Sequence, residues 1–275
     1  MLLADLVRLL DGWYDPAWAE DWDAVGLVCG DPDQPVARVL LAVDPAPVVI
    51  SEALEWGADL VVCHHPLLLT AVHGVPATTP KGRLVHRLVS AGAALLTAHT
   101  NADVPADGVN ESLARAVGIT EPRVIGGDPS TGRGHGRIGP LAEPTTLRGF
   151  GERVRDALPA TAHGVRVSGD PDREVRTVAV GSGSGDHLLD TVLGTDADVY
   201  LTSDLRHHRA TEFRDHDGPA LVDVAHWAAE WTWLPVLEAK LQAACDGPDR
   251  LETRVSTLVT DPWTFRAGES GTVRR

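Results

Sequence analysis

Three places in the chain set histidine or carboxylate side chains directly behind a short apolar run, and these are the residues best able to do chemistry. Ala58-Asp-Leu-Val-Val-Cys-His-His-Pro66 ends in the pair His64 and His65. Ala94-Leu-Leu-Thr-Ala-His99 passes straight into Thr100, Asn101 and Asp103. Ala220-Leu-Val-Asp-Val224 is followed by His226-Trp-Ala-Ala-Glu230. Neutral imidazole is the commonest metal ligand, and a carboxylate adds a hard oxygen that can bridge two cations. His226 and Glu230 stand four residues apart, so a helix would put both on one face. Such a nitrogen and oxygen set suits Zn, Fe, Mn or Ni better than Ca or Mg. Each element also has an ordinary reading. A His-His pair can sit in a loop or bond a carbonyl, Asn and Asp beside Pro105 and Gly108 serve turns and caps, and His-xxx-Glu pairs are common on helix surfaces. Their shared place behind a buried strand is what points to one metal site at one edge of a sheet.

The elements that must position these residues alternate. Helices are expected over Leu2 to Leu10, Val48 to Trp56, Gly82 to Ala91 and Val109 to Val117. Apolar strands fall between them, at Ala37 to Asp44, Leu60 to Cys63 and Ala93 to Ala98. Nearly continuous apolar strands in a β-α-β-α rhythm argue for mainly parallel sheets covered by helices on both faces. Gly126 to Gly136 is glycine-rich and reads as a connector or flexible loop. Beyond it the rhythm resumes: helix Thr146 to Ala157, strands Gly164 to Ser168 and Val175 to Val180, helix Asp186 to Leu193, strand Asp198 to Thr202 and helix Arg206 to Arg214. Strand Ala220 to Val224 follows, then one long helix from about Ala225 to Ala244 and a last strand, Glu252 to Val259. The expected fold class is α/β, with two α/β lobes and the metal site between them at the carboxyl ends of strands. The first lobe takes 1–125 plus about 222–275 and carries most ligands; the second takes about 126–221. Gly181-Ser-Gly-Ser-Gly185 is either a phosphate-cradling turn or a tight strand-to-helix turn, and without a Walker lysine the second reading is preferred. Cys63 is expected in the core.

Composition narrows the function classes. At 275 residues, 43% hydrophobic and 23% charged, the chain has the make-up of a globular protein. A formal charge of −15 argues against a general nucleic-acid binder, and the only basic run, Thr272-Val-Arg-Arg275, is short. Cys29, Cys63 and Cys245 are far apart and form no CxxC, which supports neither a disulfide framework nor a zinc ribbon. The first ten residues read as an amphipathic helix rather than a signal peptide, and no run reaches membrane-spanning length. A cytoplasmic protein without a membrane partner is expected.

The motifs, in order, resemble those of the Nif-three-like dinuclear metal-centre family, whose members are often described as GTP cyclohydrolase I type 2 homologues. The resemblance rests on Glu20-Asp-Trp-Asp-Ala-Val-Gly-Leu27, His64-His65-Pro66, His99-Thr-Asn-Ala-Asp103 and Gly134-His-Gly-Arg-Ile-Gly139. It continues through Gly181-Ser-Gly-Ser-Gly185, Thr202-Ser-Asp-Leu-Arg-His-His208 and His226-Trp-Ala-Ala-Glu230. Ala24 and Ser203 depart from the family pattern, where Asn and Gly are usual, and neither is a ligand. The resemblance implies two divalent metal ions per subunit held by His64, His65, Asp103, His226 and Glu230, with His99 lining the site. It also implies a ring-shaped homo-hexamer, without the extra inserted domain of longer variants. The function expected is hydrolysis of a small molecule, with a nucleotide as one candidate. His99 and His208 would carry protons, since imidazole titrates in the right range. The rival reading is a non-catalytic metal-binding scaffold, a metal chaperone or regulator acting through protein partners.

Overall fold

The computed structural model of the chain describes residues 1–247 and 250–267, so the basic run at Thr272–Arg275 lies outside the described residues. The chain runs α1 (Leu3–Trp13), β1 (Gly26–Cys29), β2 (Arg38–Ala42), α2 (Pro47–Trp56), β3 (Leu60–Cys63), α3 (Pro80–Ser90), β4 (Ala94–Thr97), α4 (Thr100–Asp103) and α5 (Val109–Ala116). It continues as β5 (Arg123–Asp128), β6 (Arg133–Thr146), α6 (Leu147–Ala157), β7 (Arg166–Ser168), β8 (Glu174–Ser184) and α7 (Leu189–Leu193). The last elements are β9 (Val199–Ser203), α8 (His207–Asp215), β10 (Ala220–Val224), α9 (His226–Trp231), α10 (Trp233–Ala244) and β11 (Glu252–Val255). Two compact units result, Met1–Ala102 with Leu234–Thr260, and Asp103–Trp233 with Asp261–Arg275.

In the first unit the sheet order is β1-β4-β3-β2-β11. Only the β1–β4 pair is antiparallel; β4, β3, β2 and β11 run parallel. Every residue of β3 and β4 is buried, as strands covered on both faces require. The core around them gathers Leu40, Val61 and Leu95 from the strands with Val49, Ile50 and Leu88 from the helices. Cys63 lies in it, fully buried, and burial pushes its thiol well above the usual range. Helix α1 buries Leu3, Leu6 and Leu10 along one stripe, and it runs through Gly12 to Trp13 rather than stopping at the glycine. Helix α2 stops where Gly57 takes the left-handed conformation, φ 77. Strand β1 carries no strong pattern, since all four of its residues are half-buried at the sheet edge, and the sequence reading passed over it.

Several expectations for the rest of the chain are corrected, beginning with the second unit. Its sheet, ordered β5-β6-β8-β9-β10-β7, is mixed rather than mainly parallel. Only β8, β9 and β10 are parallel to one another. Pairs β5–β6, β6–β8 and β10–β7 are antiparallel. The glycine-rich stretch from Gly126 to Gly136 is no connector but the β5–β6 hairpin itself, where Gly127 pairs with Gly134. A Cβ on Gly134 would meet the Ile125 carbonyl oxygen at 2.7 Å, so the glycines serve close strand approach. The boundaries also move, from 125 to 102 and from 222 to 233, because α5 packs on β6 and β8, and α9 on β8 and β9. The expected long helix is interrupted at Thr232. Pro235 has no N–H to return to the Trp231 carbonyl, so a continuous ladder is broken there. The last strand is shorter than expected, ending at Val255.

Candidate metal centre

Register explains how the first unit assembles its donors. Ala42, Cys63 and Thr97 are aligned across β2, β3 and β4. Two residues further along each strand come Asp44, His65 and His99, and one residue along comes His64. Parallel strands thus end in one row at their carboxyl edge, where sites in α/β sheets concentrate. The backbone holds the row beyond the last ladder residue: His64 and His65 donate their N–H groups to the Ala42 and Val43 carbonyls, and Ala98 donates to Cys63.

His64, His65 and His99 each offer a ring nitrogen, all within 4.8 Å of one another. Their ring centroids stand 5.1 to 5.5 Å apart. Each ring is tethered at Nδ1. His64, fully buried, donates to the Ala98 carbonyl at 2.9 Å. His65 donates to Asp44 Oδ1 at 2.7 Å and His99 to Asp23 Oδ1 at 2.7 Å. A proton committed to Nδ1 leaves Nε2 as the lone-pair nitrogen, and an oxygen acceptor behind the ring raises its basicity and fixes its plane. Asp23 is itself closed off from solvent. Burial alone would raise its carboxyl, but hydrogen bonds from His99, Thr100 and the Ala24 N–H outweigh it and hold the group well below the usual carboxylate range.

The second unit supplies another tethered histidine. His226, the first residue of α9, donates from Nδ1 to Asp204 Oδ2 at 2.6 Å and sets Nε2 2.8 Å from Glu230 Oε1. Asp204 stands at φ 57, a left-handed conformation unfavourable for a side chain with Cβ, at the turn leaving β9. Burial would lower the His226 imidazole, but the Glu230 and Asp204 carboxylates on either side overcome it and push the group up to about 11. The close approach of Nε2 to Oε1 suits an imidazolium shared between them, and both atoms are of a kind that can also hold a cation. Gly183, at φ +63, makes room for the pair. A Cβ on it would stand 2.7 Å from Glu230 Oε1 and 3.1 Å from His226 Nε2. The Gly181–Gly185 motif is thus the end of β8, with its glycine needed for close approach.

Asp103 closes α4 and opens the second unit. Asn110 Nδ2 donates to its carbonyl at 3.1 Å, while Asn110 Oδ1 accepts from the Ser182 N–H at 2.7 Å, which ties Asp103 to the glycine motif. Arg137, 1% exposed, donates to the carbonyls of Val104, Pro105, Gly134 and Gly136 at 2.8 to 3.0 Å and pairs with Glu111 at 3.4 Å. This buried fork fixes the segment that follows Asp103.

Of the residues singled out in the sequence, the first unit gathers His64, His65 and His99, and the second pairs His226 with Glu230. The candidate donors thus fall in both units, His64, His65 and His99 in the first and Asp103, His226 and Glu230 in the second. His99, expected to line the site, stands in the same group of three as His64 and His65. His208 stands exposed on the first turn of α8 with its ring against His207, and it belongs to neither donor group. The sequence reading missed the anchors Asp23, Asp44 and Asp204. Asp44 repeats the signal that found the histidines, an apolar strand running into a carboxylate before proline. Asp23 lay inside a quoted motif without a role.

An α/β protein of two units, each ending parallel strands in tethered histidines that could hold a metal ion, is what the fold and its side chains define. The Duf34/NIF3 (NGG1p interacting factor 3) family profile matches residues 1–262, and the chain belongs to this family. A Streptomyces coelicolor relative named GTP cyclohydrolase 1 type 2 homolog is 47% identical, over 98% of this chain and 96% of its own length. A Mycobacterium tuberculosis relative of the same name is 36% identical, over 96% and 97%. Among solved structures, a Staphylococcus aureus hypothetical protein superposes with a TM-score of 0.89 at 27% identity, covering 97% of this chain and 99% of that one. A Bacillus cereus protein related to NIF3 shares the fold at a TM-score of 0.87 and 23% identity, with the same coverage.

Proposed function

We propose that the chain is a dinuclear metal-dependent hydrolase of a small molecule, with His64, His65, Asp103, His226 and Glu230 as ligands. The observation that carries this reading is the trio of imidazoles at one strand edge, each tethered at Nδ1 by an oxygen and each with a nitrogen within 4.8 Å of the others. Ordinary core histidines do not need three such anchors converging on one point. The donor set fits two borderline divalent ions of the Zn, Fe, Mn or Ni class. When bound, such ions supply Lewis acidity and water activation near neutral pH.

The chain's own residues do the rest. Asp44 and Asp23 hold the Nδ1 atoms of His65 and His99 and so fix the planes in which the Nε2 atoms lie. His99, partly exposed in the cluster, is the first candidate to hold or pass a proton, and His208 is the second. The name borne by the curated relatives makes a nucleotide the first substrate to try, and a cytoplasmic homo-hexamer is the assembly proposed. No helix among the described residues is long and apolar enough to cross a membrane.

The test is turnover by metal-loaded protein against GTP, phosphoesters and amides, with His99→Gln alongside. Metal-stimulated hydrolysis that falls at least tenfold in the variant while metal stays bound is the expected result. Bound metal with no turnover on any substrate overturns the hydrolase reading and favours the non-catalytic scaffold.

A further inference from the structure

We propose that Trp22 is the platform on which a planar heteroaromatic ring of the substrate stacks beside the histidine cluster. The proposal rests on the hydrolase reading above and adds to it the chemical class of the ligand. Trp22 is 59% exposed and so offers a broad indole surface to whatever occupies the space beside it. It is also fixed in place. Its turn closes through the Asp23 N–H donating to the Glu20 carbonyl at 2.9 Å. On one side the Glu20 N–H donates to Thr100 Oγ1 at 3.0 Å. On the other, the Asp23 carboxylate accepts from His99 Nδ1 and from the Thr100 N–H at 3.0 Å. Both ends of the turn are thus pinned to Thr100, where α4 begins, and one of them also to His99 of the histidine cluster. The indole meets the His99 ring at 5.9 Å between centroids with planes 79° apart. In an edge-to-face contact His99 can take at most one indole face. At least one face is left to the solvent next to the site.

A pinned, exposed π face beside tethered donors is how a protein lowers the ordering cost of stacking. The ligand it fits is a flat ring system such as a purine, whose stacking on an aromatic side chain depends on shape and not on hydrogen-bond pattern. An aliphatic amide or a simple phosphoester would gain nothing from Trp22. The apolar indole would then be exposed for no return.

The probes are guanosine 5′-monophosphate and ribose 5-phosphate, titrated by calorimetry into Zn-loaded wild type, Trp22→Ala and Trp22→Phe, with metal content measured on each. The expected result is unchanged metal content, and a loss of guanosine monophosphate affinity of about 5- to 100-fold in Trp22→Ala. Trp22→Phe should recover part of the loss, and ribose 5-phosphate should bind all three alike. Equal guanosine monophosphate affinity in wild type and Trp22→Ala overturns the proposal. So does failure of wild type to bind that nucleotide, flavin mononucleotide or a pterin. Loss of metal together with affinity would make Trp22 a structural residue. A change of sedimentation with unchanged affinity would make it a subunit contact. Ring-dependent binding without hydrolysis would leave the stacking platform standing and refute only the enzymatic reading.

Discussion

Replacing Asp23 by Asn removes one negative charge and almost no volume. The wild-type carboxylate, with its side chain 0% exposed, accepts from His99 Nδ1 at 2.7 Å and the Ala24 N–H at 2.7 Å on one oxygen. On the other it accepts from the Thr100 N–H at 3.0 Å and the Thr100 hydroxyl. Asn can satisfy only one of these pairs, because its amino group must face donors on the other side. The Thr100 hydroxyl can rotate to accept, but the Thr100 N–H cannot. One charge-assisted bond is lost and one buried donor is stranded, which together cost about 2–4 kcal/mol. The pH dependence carries a sign. The carboxyl of Asp23 is depressed in the folded protein, so its stabilisation is complete above the unfolded value near ~4 and is lost as pH falls through the folded value. Urea unfolding of the metal-free protein should therefore show the full gap between wild type and Asp23→Asn at pH 7. Below pH ~4 that gap should shrink, by on the order of 1.4 kcal/mol per pH unit. Identical midpoints at pH 7, or a gap that widens on acidification, would refute the reasoning.

Gly183→Ala places a methyl against Glu230 Oε1 and His226 Nε2 at a left-handed backbone position, and should cost about 1–3 kcal/mol and at least tenfold in metal affinity; a thermal melt and a metal titration read both. Arg137→Met removes a donor from Glu111 Oε2 and from four carbonyls, while Arg115 still holds Glu111 Oε1, and should destabilise the second unit by about 2–4 kcal/mol in urea unfolding. His226 is held protonated up to about 11 between two carboxylates, so it adds stability that is complete below its unfolded value near ~6.5 and lost as pH rises towards about 11. The metal-free His226→Gln variant should accordingly show a flatter loss of stability between pH 7 and 10 than wild type, read by thermal melting across that range.

The strand ends were legible because burial and period are local properties. Leu60 to Cys63 and Ala94 to Thr97 announce themselves as core strands, and whatever polar residue follows them must sit at the sheet edge. That reasoning found His64, His65, His99, His226 and Glu230. It did not find the anchors, because Asp23 reaches His99 from 76 positions away and Asp204 reaches His226 across the β9–β10 crossover, and nothing local marks either pairing. The glycine-rich hairpin was misjudged for a related reason. Glycine is used both for flexible chain and for backbone packed too tightly for a Cβ, and only the partner strand distinguishes the two at Gly134. The mixed second sheet was hidden because β5 and β6, rich in glycine and proline and without an apolar run, were not read as strands, and β6 is the antiparallel partner of β8.

The most direct test of the metal-centre account is the metal-to-chain ratio of protein purified without chelators, by elemental analysis of wild type and a His64→Ala, His65→Ala double variant. The account predicts two borderline divalent ions per chain in wild type, and loss of at least one in the variant with its fold retained by circular dichroism. Wild-type protein that takes up no such ion even when supplied with Zn, Mn, Fe or Ni, or a variant that binds as much as wild type, would contradict it.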